Sequence, residues 1–237
     1  MEEQMKVAIL VDGGFYRKRA NYLFGNATPQ DRASQLYNYC RLHIKSQENA
    51  ELYRVLYYDC MPLDMDVFHP YKKQNITLRR NETYKWSIDF FNALKGKRKF
   101  ALRMGQISEV SAEYRLKNSV TKNLFSQKIS LDDITESDFE FRAEQKGVDM
   151  KIGLDIASLA YKKLVDQIIL ISGDSDFVPA AKLARREGID FVLDPMWAKV
   201  KADLNEHIDG LRSQCKNEIK RQDIVVEALD DSANSIP

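Results

Sequence analysis

The run Ile168-Ile169-Leu170-Ile171 followed by Ser172-Gly173-Asp174-Ser175-Asp176-Phe177 constrains this chain more than any other segment. Four consecutive apolar residues, two of every pair pointing to opposite faces, read as a strand buried on both sides, as in a parallel sheet covered by helices. Gly173 permits a sharp turn, and the stretch from about Phe177 to Arg186 reads as a helix. Asp174 and Asp176 are therefore expected at the carboxyl end of a central strand, where open α/β sheets bind ligands. Like charges so close together are costly unless a cation neutralises them, and a hard divalent cation with oxygen ligands is the simplest candidate.

A second segment repeats the pattern. Lys6 to Val11 is an apolar strand, and Asp12-Gly13-Gly14 is its turn. The strands near Lys6 and Gln167 are the most apolar of the chain and are expected side by side at the sheet centre. If their connections diverge to opposite faces, a crevice opens between their carboxyl ends. Asp12, Asp174 and Asp176 would meet there, joined by Asp149, which opens the helix Asp149 to about Lys163. Each has a structural alternative: a turn residue for Asp12, an Asx-turn for Asp174, and helix N-caps for Asp149 and Asp176. Asp155 lies at the border of the apolar face of its helix and reads as a solvated or salt-bridged acid. Asp59 closes a strand and reads as a turn residue.

The rest of the chain fits an alternating α/β order. Thr28-Pro29-Gln30-Asp31 is a helix start, with a helix expected to about Ser46. Leu52 to Asp59 is a strand, Asn81–Leu94 a helix, Lys99 to Ile107 a strand, and Ile189–Leu193 another. A last helix is expected from about Lys199 to Cys215. Residues 1–215 read as one domain with a basic insertion at about 61–145, whose 108–130 part forms a hairpin or extended excursion and whose 129–144 part is loop. The 216–237 tail is polar and expected to be partly disordered.

Composition excludes several classes. No apolar run reaches the roughly 18–20 residues of a membrane span, and the acidic start, Met1-Glu2-Glu3-Gln4, does not read as a signal peptide. Cys40, Cys60 and Cys215 are odd in number and far apart, which fits a reducing cytoplasm rather than disulfides or a zinc site. His43, His69 and His207 are too scattered for histidine acid–base chemistry, and there is no Walker loop or Gly-x-Ser-x-Gly elbow.

A net charge of +1 predicts no global attraction to nucleic acid, yet charge is local. Lys72, Lys73, Arg79, Arg80, Lys85, Lys95, Lys97, Arg98, Lys99 and Arg103 face only Glu82 and Asp89 between residues 71 and 103. Such an excess suits phosphate contacts, and Tyr71, Tyr84, Trp86 and Phe100 offer rings for unpaired bases. Arg17 and Lys18 follow the first acidic turn directly. The alternative is a solvated basic face, its aromatics in a local core, with the acidic 132–144 stretch as its ion-pair partner.

Three segments together resemble the NYN domain of the PIN-like nuclease superfamily. They are Val7-Ala8-Ile9-Leu10-Val11-Asp12-Gly13-Gly14, then Lys146-Gly147-Val148-Asp149 with Asp155, then Ser172-Gly173-Asp174-Ser175-Asp176-Phe177-Val178-Pro179. The resemblance covers about 6–59 and 146–211. It implies a three-layer Rossmann-like α/β fold with a central, mostly parallel sheet. It also implies metal-dependent endonuclease activity, most often on RNA, with Asp12, Asp149, Asp174 and Asp176 holding Mg2+ or Mn2+. Asp155 matches an acid that often follows in that helix, and Ser172 a polar residue beside the metal. One position departs: Phe15 stands where many members have asparagine. The expected nucleic-acid contacts are Arg17, Lys18, Arg79, Arg80, Lys97, Arg98 and Lys99. RNA is expected over DNA, a homodimer is a further expected partner, no membrane is expected, and the location is cytoplasmic. The alternative is a PIN-like module that binds RNA without cutting it. A phosphatase is disfavoured because Gly14 stands where its second acid belongs.

Overall fold

The computed structural model describes residues 4–215. Its centre is β1 (Met5–Asp12), which pairs in parallel with β2 (Ala50–Cys60) on one side. Between them in the chain lie α1 (Gly13–Phe24) and α2 (Pro29–Lys45). The start of α2 follows the sequence reading: Thr28 accepts from the Asp31 amide at 3.1 Å and Pro29 takes the first turn. A short hairpin, β3 (Asp66–His69) and β4 (Gln74–Thr77), leads to α3 (Glu82–Lys95) and to β5 (Phe100–Ile107), which joins the main sheet beside β2.

A second excursion holds β6 (Glu113–Leu116), α4 (Asn118–Phe125) and β7 (Phe139–Arg142), with β6 and β7 paired antiparallel. The sheet resumes with β8 (Gln145–Lys146), its one antiparallel member among the described residues. Then follow α5 (Val148–Tyr161), β9 (Gln167–Ile171), α6 (Val178–Arg186), β10 (Asp190–Asp194), α7 (Ala202–Glu206) and β11 (Gly210–Leu211). The sheet order is β11-β10-β9-β1-β2-β5-β8.

Strand periodicity explains the three layers. Ala8 and Leu10 of β1, Ile168 and Leu170 of β9 and Leu56 and Tyr58 of β2 face a core shared with α5 and α6. Val7, Ile9 and Val11, with Ile169, Ile171 and Tyr57, face the opposite core under α1, α2 and α3. Because successive side chains alternate, a strand in the middle layer must be apolar throughout, and β1 and β9 are. Their following helices go to opposite faces, α1 to one and α6 to the other. The crevice expected between two such strands therefore falls at the β1–β9 carboxyl edge.

Three expectations need correction. The stretch 61–145 is not one basic insertion: α3 and β5 are parts of the layered core, and only the segments before α3 and between β5 and β8 leave it. The 108–144 excursion is richer in acids than in bases; its 108–130 part carries the helix α4 after β6, and its 129–144 part contains the strand β7 rather than loop alone. The expected helix from Lys199 to Cys215 is only α7, after which β11 pairs with β10. α7 stops at His207, and Gly210 opens β11. The tail from 216 lies outside the described residues.

Candidate functional site

Asp12 is the last residue of β1 and the N-cap of α1. Its Oδ1 accepts the Phe15 amide at 3.1 Å, and its Oδ2 accepts the Ser172 hydroxyl at 3.1 Å. Ser172 is fully buried and also receives the Asp174 amide at 3.3 Å. Asp174 in turn accepts the Asp176 amide through Oδ1 at 3.1 Å. One chain of hydrogen bonds thus ties the turn after β1 to the turn after β9. The Asx-type bond of Asp174 is present; Asp176 does not cap α6, whose N-cap is Phe177. Nor does Asp149 cap α5: Gly147, in the left-handed conformation at φ 80°, holds that place, which leaves the Asp149 carboxyl free in the first helical turn.

The four carboxylates feel one another. Burial pushes the Asp12 carboxyl above the usual carboxylate range, against the pull of its two donors, and the charges of Asp59 and Asp174 add to the rise. Asp149 is also raised, by burial first and then by Asp12, Asp174 and Asp176. Asp149, Asp174 and Asp176 are exposed and Asp12 half-buried, so the cluster opens to solvent with Asp12 at its base. No lysine, arginine or histidine forms an ion pair with any of the four among the described residues.

The other buried or half-buried acids contrast with this. Asp155 accepts the Tyr58 hydroxyl at 2.8 Å and Arg103 Nε at 3.0 Å, so the salt-bridged reading holds for it and it stands apart from the cluster. Asp59, expected in a turn, is instead a buried strand residue at 1% exposure, held by Arg17 at 3.0 Å and the Tyr57 hydroxyl at 2.9 Å. Sequence reasoning missed that Asp59 lies beside the Asp12 turn. The available signal was its place at the end of the strand that flanks β1.

The expected basic contacts divide. Arg17 is bound to Asp59, and Lys18 is exposed on α1. Arg79 and Arg80 precede α3 on the side of the sheet where β2 ends, and Arg79 lies 3.8 Å from Asp64. Lys97, Arg98 and Lys99 precede the first residue of β5, at the opposite, amino edge. Asp12 is level with Tyr58 and Arg103 in the sheet, so Lys99 sits four residues below it, about 13 Å along the strand direction. Trp86 stacks on Phe90 and donates to the Ala27 carbonyl, and Phe100 packs on Tyr37, so these two rings serve the core. A basic residue that sequence reasoning missed is Lys201, whose Nζ lies 3.0 Å from the Ser175 hydroxyl inside the Asp174–Asp176 turn. Among the described residues one ion pair joins the basic and acidic excursions, Lys72 to Glu136 at 2.6 Å.

A family model described as the NYN domain matches residues 75–210. The chain belongs to the NYN domain family. NYN domains are generally nucleases, and the layered α/β sheet described above is a nuclease-like fold of the PIN-like kind. The NYN match contains Asp149, Ser172, Asp174 and Asp176; Asp12 precedes it, on the strand that pairs with β9. Among solved structures, the crystal structure of a protein of unknown function from Vibrio parahaemolyticus RIMD 2210633 aligns with a TM-score of 0.47 and 14% identity, over 91% of this chain and 96% of that one. No curated protein matches the chain.

The donor set can be tested against a divalent cation. No group of three or more His, Cys, Asp or Glu side chains is arranged as a ready cage among the described residues. Magnesium does not need one: it takes one or two direct carboxylates and keeps several waters. An all-oxygen cluster without an ion-pair partner among the described residues, in which Asp12 and Asp149 are raised by burial first and by neighbouring carboxylates second, is chemistry that fits such an ion.

Proposed function

We propose that this chain is a metal-dependent endonuclease that hydrolyses phosphodiester bonds in RNA. One observation carries the reading. Asp12, Asp149, Asp174 and Asp176 converge without a paired cation, while Asp59, Asp155 and Asp194 nearby are each bonded to Arg17, Arg103 and His43. Asp59 and Asp155 are each neutralised by an arginine, whereas these four have no ion-pair partner among the described residues.

Asp12 and Asp174 would be the principal ligands of Mg2+ or Mn2+, with Asp149 and Asp176 completing the acidic wall. When bound, the ion supplies countercharge and a lowered water pKa for phosphodiester hydrolysis. Ser172 fixes the Asp12 carboxylate by its hydroxyl, and the Asp174 turn is held by its own amide contacts, so the two oxygen sets are preorganised. Lys201 beside Ser175 and exposed Lys18 supply positive charge at the rim for the strand backbone. In-line attack of water at phosphorus would leave a 5′-phosphate and a 3′-hydroxyl.

A non-catalytic RNA-binding module on the same fold is the second reading, and Phe15 favours it. Its ring packs against Gly173, where a built Cβ would come within 2.7 Å of Phe15 Cε2. An apolar ring thus occupies ground where an asparagine would offer hydrogen bonds. The deciding test is cleavage of labelled single-stranded RNA and DNA with manganese, magnesium or chelator, beside Asp174→Asn. The nuclease reading expects metal-dependent cutting of RNA that the variant loses. Binding without turnover by the folded, metal-supplied parent would move the assignment to the second reading.

A further inference from the structure

The amino edge of the sheet, far from the aspartates, carries the bases that the acidic site does not use. A cleft of about 430 Å³ lies there between the end of α2 and the turn from α3 into β5. Its lining is mixed: Ile44, Leu52 and the half-buried ring of Tyr37 are apolar, while Arg41, Lys45 and Arg98 are exposed. The one acid of its lining, Glu51, is held by Lys99 at 2.9 Å, which together with Lys6 and Arg98 keeps its carboxyl below the usual range. Lys99 reaches it from a left-handed backbone, φ 65°, and also donates to the Leu52 carbonyl. Arg41, Lys45 and Arg98 have no carboxylate partner among the described residues, and the Arg41 guanidinium sits 5.6 Å over the Tyr37 ring.

We infer that this cleft is a binding site for a nucleoside phosphate, separate from the acidic cluster. Ile44, Leu52 and Tyr37 offer apolar contact to a base, and the two guanidinium forks suit phosphate oxygens. Its volume falls in the range of small-ligand sites. Leu52 is six residues below Tyr58, the strand neighbour of Asp12, so about 20 Å separates the cleft from the aspartates along the sheet. The ligand is either a free nucleotide or one unit of an RNA strand. The inference stands on the cleft's own geometry and does not require cleavage by the aspartates.

The test uses the full chain in chelator, where no cutting occurs. A fluorescein-labelled single-stranded oligoribonucleotide is titrated, with AMP and polyglutamate as competitors. The parent should bind the oligoribonucleotide, and Arg41→Ala with Arg98→Ala should weaken that binding about tenfold or more, the scale of lost charge-assisted phosphate contacts. Lys45→Glu should act in the same direction, and unchanged melting of both variants certifies their folds. Competition by AMP identifies a free-nucleotide site; oligonucleotide binding that AMP leaves intact identifies a strand site. Parent-like binding by the variants, absence of binding, or displacement of the oligonucleotide by polyglutamate would overturn the inference.

Discussion

At the scale of single residues, Asp12 is a carboxylate held where its charge is disfavoured. Burial raises it first, then Asp59 and Asp174 add repulsion. An acid whose folded pKa lies above its unfolded value of 3.8 favours the folded state fully below that value. The contribution is lost as pH rises through the raised folded pKa. Asp149 shifts in the same direction. In chelator, Asp12→Asn should therefore melt above the parent at neutral pH, and the gap should shrink on acidification to about pH 4. Thermal melts of both proteins across pH check this; a gap that is constant or widens in acid contradicts it. Gly13 is the second constrained residue. A Cβ there would meet the Tyr58 carbonyl at 2.5 Å and Asp59 Oδ2 at 2.6 Å, and the carbonyl cannot move aside. Gly13→Ala should cost about 1–3 kcal/mol in denaturant unfolding, and a loss below the error of that measurement would show that the β1–α1 turn is slack.

At the scale of elements, α5 separates two acids that a sequence pattern groups together. Asp149 in its first turn faces the crevice, while Asp155, about 9 Å further along the axis, is bonded to β2 and β5 through Tyr58 and Arg103. Asp155→Asn should lower stability by about 1 kcal/mol, the scale of one hydrogen-bonded charge contact, while leaving metal-dependent turnover near the parent's. A turnover loss as deep as that of Asp149→Asn would place Asp155 in the site after all. The far end of α2 is pinned in a similar way. Asp194 at the end of β10 accepts His43 Nε2 at 2.8 Å and the Tyr39 hydroxyl at 2.5 Å, all out of reach of solvent, and its Oδ1 takes the Met196 amide at 2.7 Å. Asp194→Ala strands three buried groups and should cost about 3 kcal/mol or more, measured by chemical unfolding; a cost near zero would mean that the cluster is solvated.

At the scale of the whole molecule, the fold has a carboxyl edge rich in unpaired acids and an amino edge rich in unpaired bases. The first was legible in the sequence. An apolar run buried on both faces and a glycine turn with two acids leave few places for Asp174 and Asp176, and the same logic places Asp12 one strand away. The second was not, because the basic stretch from Lys72 to Arg103 looks continuous along the chain although the path of α3 and β5 carries its two ends to opposite edges. Asp59 escaped for a related reason: only the parallel pairing of β1 with β2 brings it beside Asp12. The acidic half of the excursion between β5 and β8 hid short strands, since β6 and β7 are stabilised by rings packed across them, Tyr114 on Phe141 at 5.4 Å, more than by local pattern.

The claim that joins these scales is that four unpaired aspartates form one divalent-cation site. Manganese binding, followed by calorimetry on the full chain, tests it most directly. The parent and Asp155→Asn should bind the ion alike, and Asp12→Asn and Asp174→Asn should each lose most of that binding while remaining folded. Equal binding by all four proteins, or none by the parent, would contradict the account.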